Sequence, residues 1–122
     1  MKKMIGIDLV ENKRIEKAIK DKNFVLKVLT EKEIEYVNSF KNNVEHIAGF
    51  FAVKEAVMKV LEDCKQISFK DIEVFHKPSG KPYVELFGKA KEVFVSKNIK
   101  SIEVSISQTQ NFATAVAIAL FN

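Results

Sequence analysis

Apolar and polar positions alternate in two different rhythms along this chain, and the changes of rhythm mark its elements. Residues 4–10 are short and rich in branched side chains, which predicts a buried strand, and helical spacing replaces that pattern near Asp8. A charged helix over residues 11–20 sets Lys13, Lys17 and Lys20 on one face and Ile15, Ala18 and Ile19 on another, with Arg14 at the edge between them. Asp21-Lys22-Asn23 interrupts it, and residues 24–29 read as a short apolar turn. Thr30 followed three residues later by Glu33 matches a capping box, so a helix is predicted over residues 31–40, stopped by Lys41-Asn42-Asn43.

The long helix predicted over residues 44–61 is the most apolar. Ile47, Phe51, Met58 and Leu61 fall on one side, and Phe50, Val53, Val57 and Val60 carry the apolar surface most of the way round. Such a helix must be largely buried. Its polar band is narrow, made by Glu55, Lys59 and Glu62 beside the small Ala48 and Ala52, while Lys54 stands alone in the apolar sector. Residues 62–70 form a polar connection. Residues 72–76 and 83–86 read as two strands joined through Lys77-Pro78-Ser79-Gly80-Lys81-Pro82, a hairpin with a rigid tip. A helix over residues 88–97 stops at Asn98. Residues 102–107 and 113–121 read as an antiparallel pair joined through Gln108 to Asn111. The last strand is apolar on both faces, so both must be covered, by helices or by another chain. The order of elements predicts an α+β fold in a single domain over residues 1–122.

Composition narrows the function classes. A lone cysteine, Cys64, excludes an internal disulfide and a cysteine-based metal site and agrees with a reducing compartment. No apolar run is long enough for a secretory signal or a membrane span, so the expected location is the cytoplasm. Twenty basic against sixteen acidic side chains leave a net charge of +4, a mild excess that suits an acidic partner. Arg14 is the single arginine, and its planar fork can grip carboxylate or phosphate as no lysine can. No Ser-His-Asp order, nucleophile elbow, phosphate-cradling glycine loop or zinc spacing is present.

Few residues remain to carry chemistry. Asp8-Leu9-Val10-Glu11 is acceptable as a helix N-cap, and Glu55 and Lys59 as an i, i+4 ion pair. If Asp8 and Glu55 instead converge, two carboxylates describe a Mg²⁺ site that keeps several waters and expects substrate phosphates, with Lys59 facing the same phosphates. Gly80 and Lys81 offer backbone and charge to a ligand, although a plain hairpin tip explains them too. His46 and His76 have no partner at ligand spacing and read as structural or surface residues.

Gly6-Ile7-Asp8 with Arg14-Ile15, followed by Phe51-Ala52-Val53-Lys54-Glu55-Ala56 and Lys59, resembles the two signature motifs of the holo-[acyl-carrier-protein] synthases, the small phosphopantetheinyl transferases. Gly80-Lys81-Pro82 and Val104-Ser105-Ile106-Ser107 match as well, so the resemblance spans nearly the whole chain. It implies transfer of 4′-phosphopantetheine from coenzyme A to a serine of apo-acyl carrier protein for fatty acid biosynthesis, with release of adenosine 3′,5′-bisphosphate. It also implies a homotrimer with active sites between subunits. Carried over by motif, Asp8 and Glu55 match the Mg²⁺ ligands and Lys59 the phosphate-contacting lysine. Gly80, Lys81 and Pro82 match the coenzyme-binding turn. Arg14, with Lys17 on the same basic helix, would dock the carrier protein. Asp8, Glu55 or a water on the metal would take the serine proton.

The chain departs from the family at three places: Phe50 stands where an arginine is usual, Glu62-Asp63-Cys64-Lys65 where a Gly-Thr-Gly loop is usual, and Gln108 where a histidine is common. Lys65, Lys77 or Lys81 would then have to supply charge to the coenzyme's phosphates. These departures leave open a catalytically silent homologue that binds carrier protein or coenzyme A. A small basic nucleic-acid-binding module is the other alternative, on net charge alone; the predicted strands lack aromatic residues interleaved with basic ones.

Overall fold

The computed structural model describes residues 2–62 and 66–122, and its core is built around one helix. Strand β1 (Lys3–Glu11) is followed by three short helices, α1 (Asn12–Ala18), α2 (Lys22–Val28) and α3 (Glu31–Asn38), and then by the long α4 (Val44–Leu61). A 3₁₀ turn over Phe69–Asp71 leads into the hairpin of β2 (Ile72–His76) and β3 (Pro82–Leu86). Helix α5 (Gly88–Ser96) precedes the closing pair β4 (Ile99–Gln108) and β5 (Phe112–Phe121). The first and last strands of the chain lie side by side, in an antiparallel sheet of order β1-β5-β4, with β2 and β3 in a separate two-stranded sheet.

The long helix, the hairpin and the closing pair match their predicted positions. The differences are local. The strand does not yield to helix at Asp8 but runs three residues further. Glu11 occupies the N-cap of α1 without a side-chain bond, so Asp8 is no cap. Residues 22–28 form a helix rather than a turn, because Asp21 caps it by accepting from the Asn23 amide at 2.9 Å. The capping box forms as predicted: the Thr30 hydroxyl accepts from the Glu33 amide, and Glu33 Oε1 accepts from the Thr30 amide at 2.9 Å.

Helix α4 packs on β5 and β1, and small residues set the spacing. Ala48, Ala52 and Ala56 on the helix, and Ala113, Ala115, Ala117 and Ala119 on β5, are all buried. The two small positions noted beside the polar band therefore receive the sheet. The opposite face of that sheet is uncovered: Ile5, Ile7 and Leu9 of β1 are more than 60% exposed, with Val116 and Ile118 of β5 half-buried beside them. Among the described residues, only one face of the last strand is covered by a helix.

Lys54 is not alone. Its ammonium is fully buried and donates to Glu33 Oε1 at 2.6 Å, to the Val28 carbonyl at 2.7 Å and to the Phe69 carbonyl at 3.1 Å. Burial lowers its pKa below the usual lysine value, and the Glu33 carboxylate opposes that shift.

Candidate active site

Strand β1 places its candidate carboxylate, Asp8, by alternation. With Ile5, Ile7 and Leu9 facing outward, Gly6, Asp8 and Val10 face α4. A Cβ added at Gly6 would sit 2.2 Å from the Ala56 carbonyl oxygen, so the helix can approach this strand only because the side chain is absent. That approach brings Asp8 to the C-terminal half of α4. Lys59 donates to the Ile7 carbonyl at 2.7 Å and to Asp8 Oδ1 at 3.3 Å. Its ion-pair partner is thus Asp8 on the strand, and not Glu55 one turn back.

Glu55 shares the corner. Burial pushes its carboxyl above the usual carboxylate range, and the negative charge of Asp8 pushes it further, while Lys59 and Arg14 partly oppose both. With Lys59 and Arg14 only partly offsetting the Asp8 charge and the burial at Glu55, the corner can accept more positive charge. Hard oxygen donors in that state suit a hard divalent cation, and two protein ligands leave room for water and phosphate as Mg²⁺ requires. The sign of the Glu55 shift gives a stability test. Its folded pKa lies above its unfolded one, so the folded protein binds more protons, and stability falls as pH rises from the ordinary carboxylate value through the raised one. Without divalent cation, Glu55→Gln is expected to melt higher than the parent at pH 7 and to lose that fall. Thermal melts across pH in a chelator check this, and a lower melting point for the variant at pH 7 contradicts it.

The carrier-docking candidates sit on α1. Arg14 and Lys17 are exposed and line a shallow depression of about 530 Å³ with Glu11, Lys13 and Ala18. The Arg14 guanidinium lies 5.7 Å from the centre of the Phe51 ring, a contact that fixes the fork beside α4 and within electrostatic reach of Glu55.

The hairpin candidates are assembled elsewhere in the chain. Gly80 takes φ +92° with open space where a Cβ would be, and with Pro82 and Lys77 it borders a cavity of about 450 Å³. Lys81 lies outside that lining and makes a long contact with the Val104 carbonyl at 3.5 Å. The other walls are Tyr36, His46, His76, Ile106 and Gln108. His46 stands nine residues before Glu55 on α4, so this cavity opens roughly 14 Å along the helix from the carboxylate corner. Lys65, and with it Asp63 and Cys64, lies outside the described residues.

Sequence reasoning missed the aromatic wall of that cavity. Tyr36 stacks on His76 with ring centres 4.7 Å apart and on Phe50 at 5.6 Å, and His46 stacks on Phe40 at 3.8 Å. Burial lowers the His76 pKa, and His46 lowers it further, so His76 favours the neutral ring. Phe50, 2% exposed, is the floor of this stack. The Gln108 side-chain amide donates to the Glu45 carbonyl and packs against Gly49, tying the end of β4 to the first turns of α4. Residues 36, 46, 50, 76 and 108 come from four elements, and no local spacing joins them.

The fold that carries the carboxylate corner and this cavity is a known one. Residues 4–117 match the family model described as the 4′-phosphopantetheinyl transferase superfamily. The chain belongs to that superfamily. A holo-[acyl-carrier-protein] synthase from Caldanaerobacter subterraneus is 43% identical over 122 residues, covering 98% of this chain and 96% of that protein. Among solved structures, the Helicobacter pylori holo-[acyl-carrier-protein] synthase, in complex with coenzyme A, is 39% identical with a TM-score of 0.83 and covers 95% of this chain and 99% of its own. The Bacillus anthracis synthase, in complex with CoA (3′,5′-ADP), is 33% identical with a TM-score of 0.81, covering 97% of this chain and 96% of its own. The α+β fold predicted from the order of elements, and the small transferase fold that the resemblance implies, are thus the observed ones.

Proposed function

We propose that this transferase moves 4′-phosphopantetheine from coenzyme A to a serine of an apo-acyl carrier protein and so activates it for fatty acid biosynthesis. Relatives of 43–44% identity along nearly their whole length carry that activity in their names, and the convergence of Asp8, Glu55 and Lys59 at one corner is the observation that supports it here. In the reaction the serine oxygen bonds to the phosphorus bearing the pantetheine arm. The bond from that phosphorus to the oxygen bridging the two phosphates breaks, adenosine 3′,5′-bisphosphate leaves with that oxygen and its electron pair, and the hydroxyl proton departs. Asp8 and Glu55 would hold Mg²⁺, which when bound offsets charge on the pyrophosphate and on the leaving group. Lys59, half exposed at 51%, is free to turn its ammonium from Asp8 towards a phosphate oxygen. Asp8 and Glu55 are the carboxylates at this corner available to take the proton.

The hairpin turn Gly80-Lys81-Pro82 would hold the coenzyme. Among the described residues, with Phe50 occupied in the aromatic stack, Lys77 lines this cavity and would meet the coenzyme's phosphates. Arg14 and Lys17 would receive the acidic carrier. Arg14→Ala is expected to raise the KM for carrier protein about tenfold, to change kcat little, and to flatten the salt dependence of kcat/KM. Steady-state kinetics across salt check this; an unchanged KM removes Arg14 from the docking surface.

We read residues 1–122 as one transferase domain acting in the cytoplasm, where its lone cysteine stays reduced. No helix among the described residues is long and apolar enough to cross a membrane. The uncovered Ile5, Ile7 and Leu9 face supports assembly into a homotrimer through the β1-β5-β4 sheet. The decisive experiment incubates the protein with apo-carrier protein, coenzyme A and Mg²⁺ and weighs the carrier. A gain of one phosphopantetheine arm is expected. No gain, with a known transferase active alongside, rejects the reading in favour of a silent homologue.

A further inference from the structure

Beside Glu55 in sequence, and turned about 100° away from it on the helix, Lys54 ends in the most enclosed polar cluster among the described residues. An ammonium has three protons, and all three are placed: on Glu33 Oε1, the Val28 carbonyl and the Phe69 carbonyl. The carboxylate it meets is equally saturated. Glu33 Oε1 also accepts the Thr30 amide, and Oε2 accepts the Val74 amide of β2 at 2.7 Å. One residue away, the Thr30 hydroxyl donates to Glu73 Oε2 of β2 at 2.6 Å. Both members of the ion pair have fully buried side chains.

This cluster joins five segments: the end of α2, the start of α3, the middle of α4, the 3₁₀ turn and β2. A buried ion pair is a poor way to gain stability, since apolar side chains of the same volume do as well or better. What it supplies is direction. Hydrogen bonds of fixed geometry at each end allow α4 one rotation and one height relative to β2. Two halves of the site hang from those elements. Glu55 and Lys59 are on α4, and β2 runs into the turn bearing Lys77, Gly80 and Pro82. Strand β1 and helix α1 are not tied by the cluster.

We propose that Lys54 and Glu33 are positioning residues that set the carboxylate corner of α4 against the coenzyme-binding hairpin. The inference rests on the proposed roles of Glu55 and the hairpin. It makes a specific kinetic claim: coenzyme A bridges the two halves, so loosening the cluster affects coenzyme binding and the chemical step, while carrier docking on α1 is spared.

The double variant E33Q/K54M removes both charges of the pair together, so neither is left buried without the other, and Glu73 keeps its bond from the Thr30 hydroxyl. Per folded molecule, kcat should fall at least tenfold and the KM for coenzyme A rise severalfold, with the KM for carrier within twofold of the parent. A role in stability alone gives a different result: activity scaling with the folded fraction and both KM values unchanged, which overturns the proposal. If the double variant does not fold, E33D keeps both charges and shortens the carboxylate's reach by one methylene. It should move kcat and the coenzyme KM in the same directions by a few-fold, and parental values for both overturn the proposal. Parent protein that transfers nothing would instead remove the functional reading, so the two failures are distinguishable.

Discussion

Asp8→Ala and Glu55→Ala are each expected to lose transfer activity by at least about a thousandfold while remaining folded. The activity loss follows if the two carboxylates hold positive charge against a pyrophosphate as proposed, since a single well-placed electrostatic partner already contributes about a hundredfold or more. The retained fold follows from magnitudes. The Asp8–Lys59 contact is a 3.3 Å pair with a half-exposed lysine, and such pairs contribute about 0–1 kcal/mol. Glu55 has a raised pKa, so its charge opposes folding in the metal-free chain. Carrier mass after incubation with coenzyme A and Mg²⁺, read beside a thermal melt, checks both halves. Full activity in either variant refutes the metal assignment. Loss of activity together with loss of the fold refutes the claim that these side chains serve chemistry rather than stability.

Gly6→Ala combines the two losses. The added methyl group would lie 2.2 Å from the Ala56 carbonyl and 3.0 Å from the Val60 side chain. The first of these is helix backbone, hydrogen-bonded within α4 and unable to move aside as a side chain could. Strand and helix must separate, at a cost of about 3 kcal/mol as for other overpacked contacts. The same separation draws Asp8 away from Glu55 and Lys59, so kcat should fall by about a hundredfold even at temperatures where the variant is folded. Denaturant melts and single-temperature kinetics measure the two effects. A variant as active and as stable as its parent would show that the close approach of β1 to α4 is not what builds the corner.

Legibility in the sequence followed the range of the interaction. The bounds of α4, the Thr30 capping box and the β2-β3 turn depend on residues a few positions apart, and each was readable from spacing. Asp8 was harder. A carboxylate followed by Glu three residues later resembles a cap, yet pairing with β5, along with the Thr114 hydroxyl donating to the Asp8 carbonyl at 2.8 Å, keeps the strand extended. Lys54 looked solitary because its partner Glu33 is twenty-one residues away and already explained as half of a capping box; only the fold gives that carboxylate its second bond. Spacing left two readings of Lys59 open, and the fold decides between them. Helical spacing offered Glu55, and the strand brought a closer oxygen. The aromatic wall of Tyr36, His76 and Phe50 combines three elements and has no signature in one dimension.

Strand β1 presents apolar side chains to one side and Gly6 and Asp8 to the other, in strict alternation. Substitutions along it can therefore drift independently on the two faces, but insertions and deletions cannot. Losing or gaining one residue between Gly6 and Asp8 inverts the downstream half of the strand, turning the Asp8 carboxylate to the outer surface and a leucine or isoleucine towards the helix. For this segment the length of the chain is held more tightly than its composition, and a library of single-codon deletions should find β1 intolerant at positions where point substitutions are accepted.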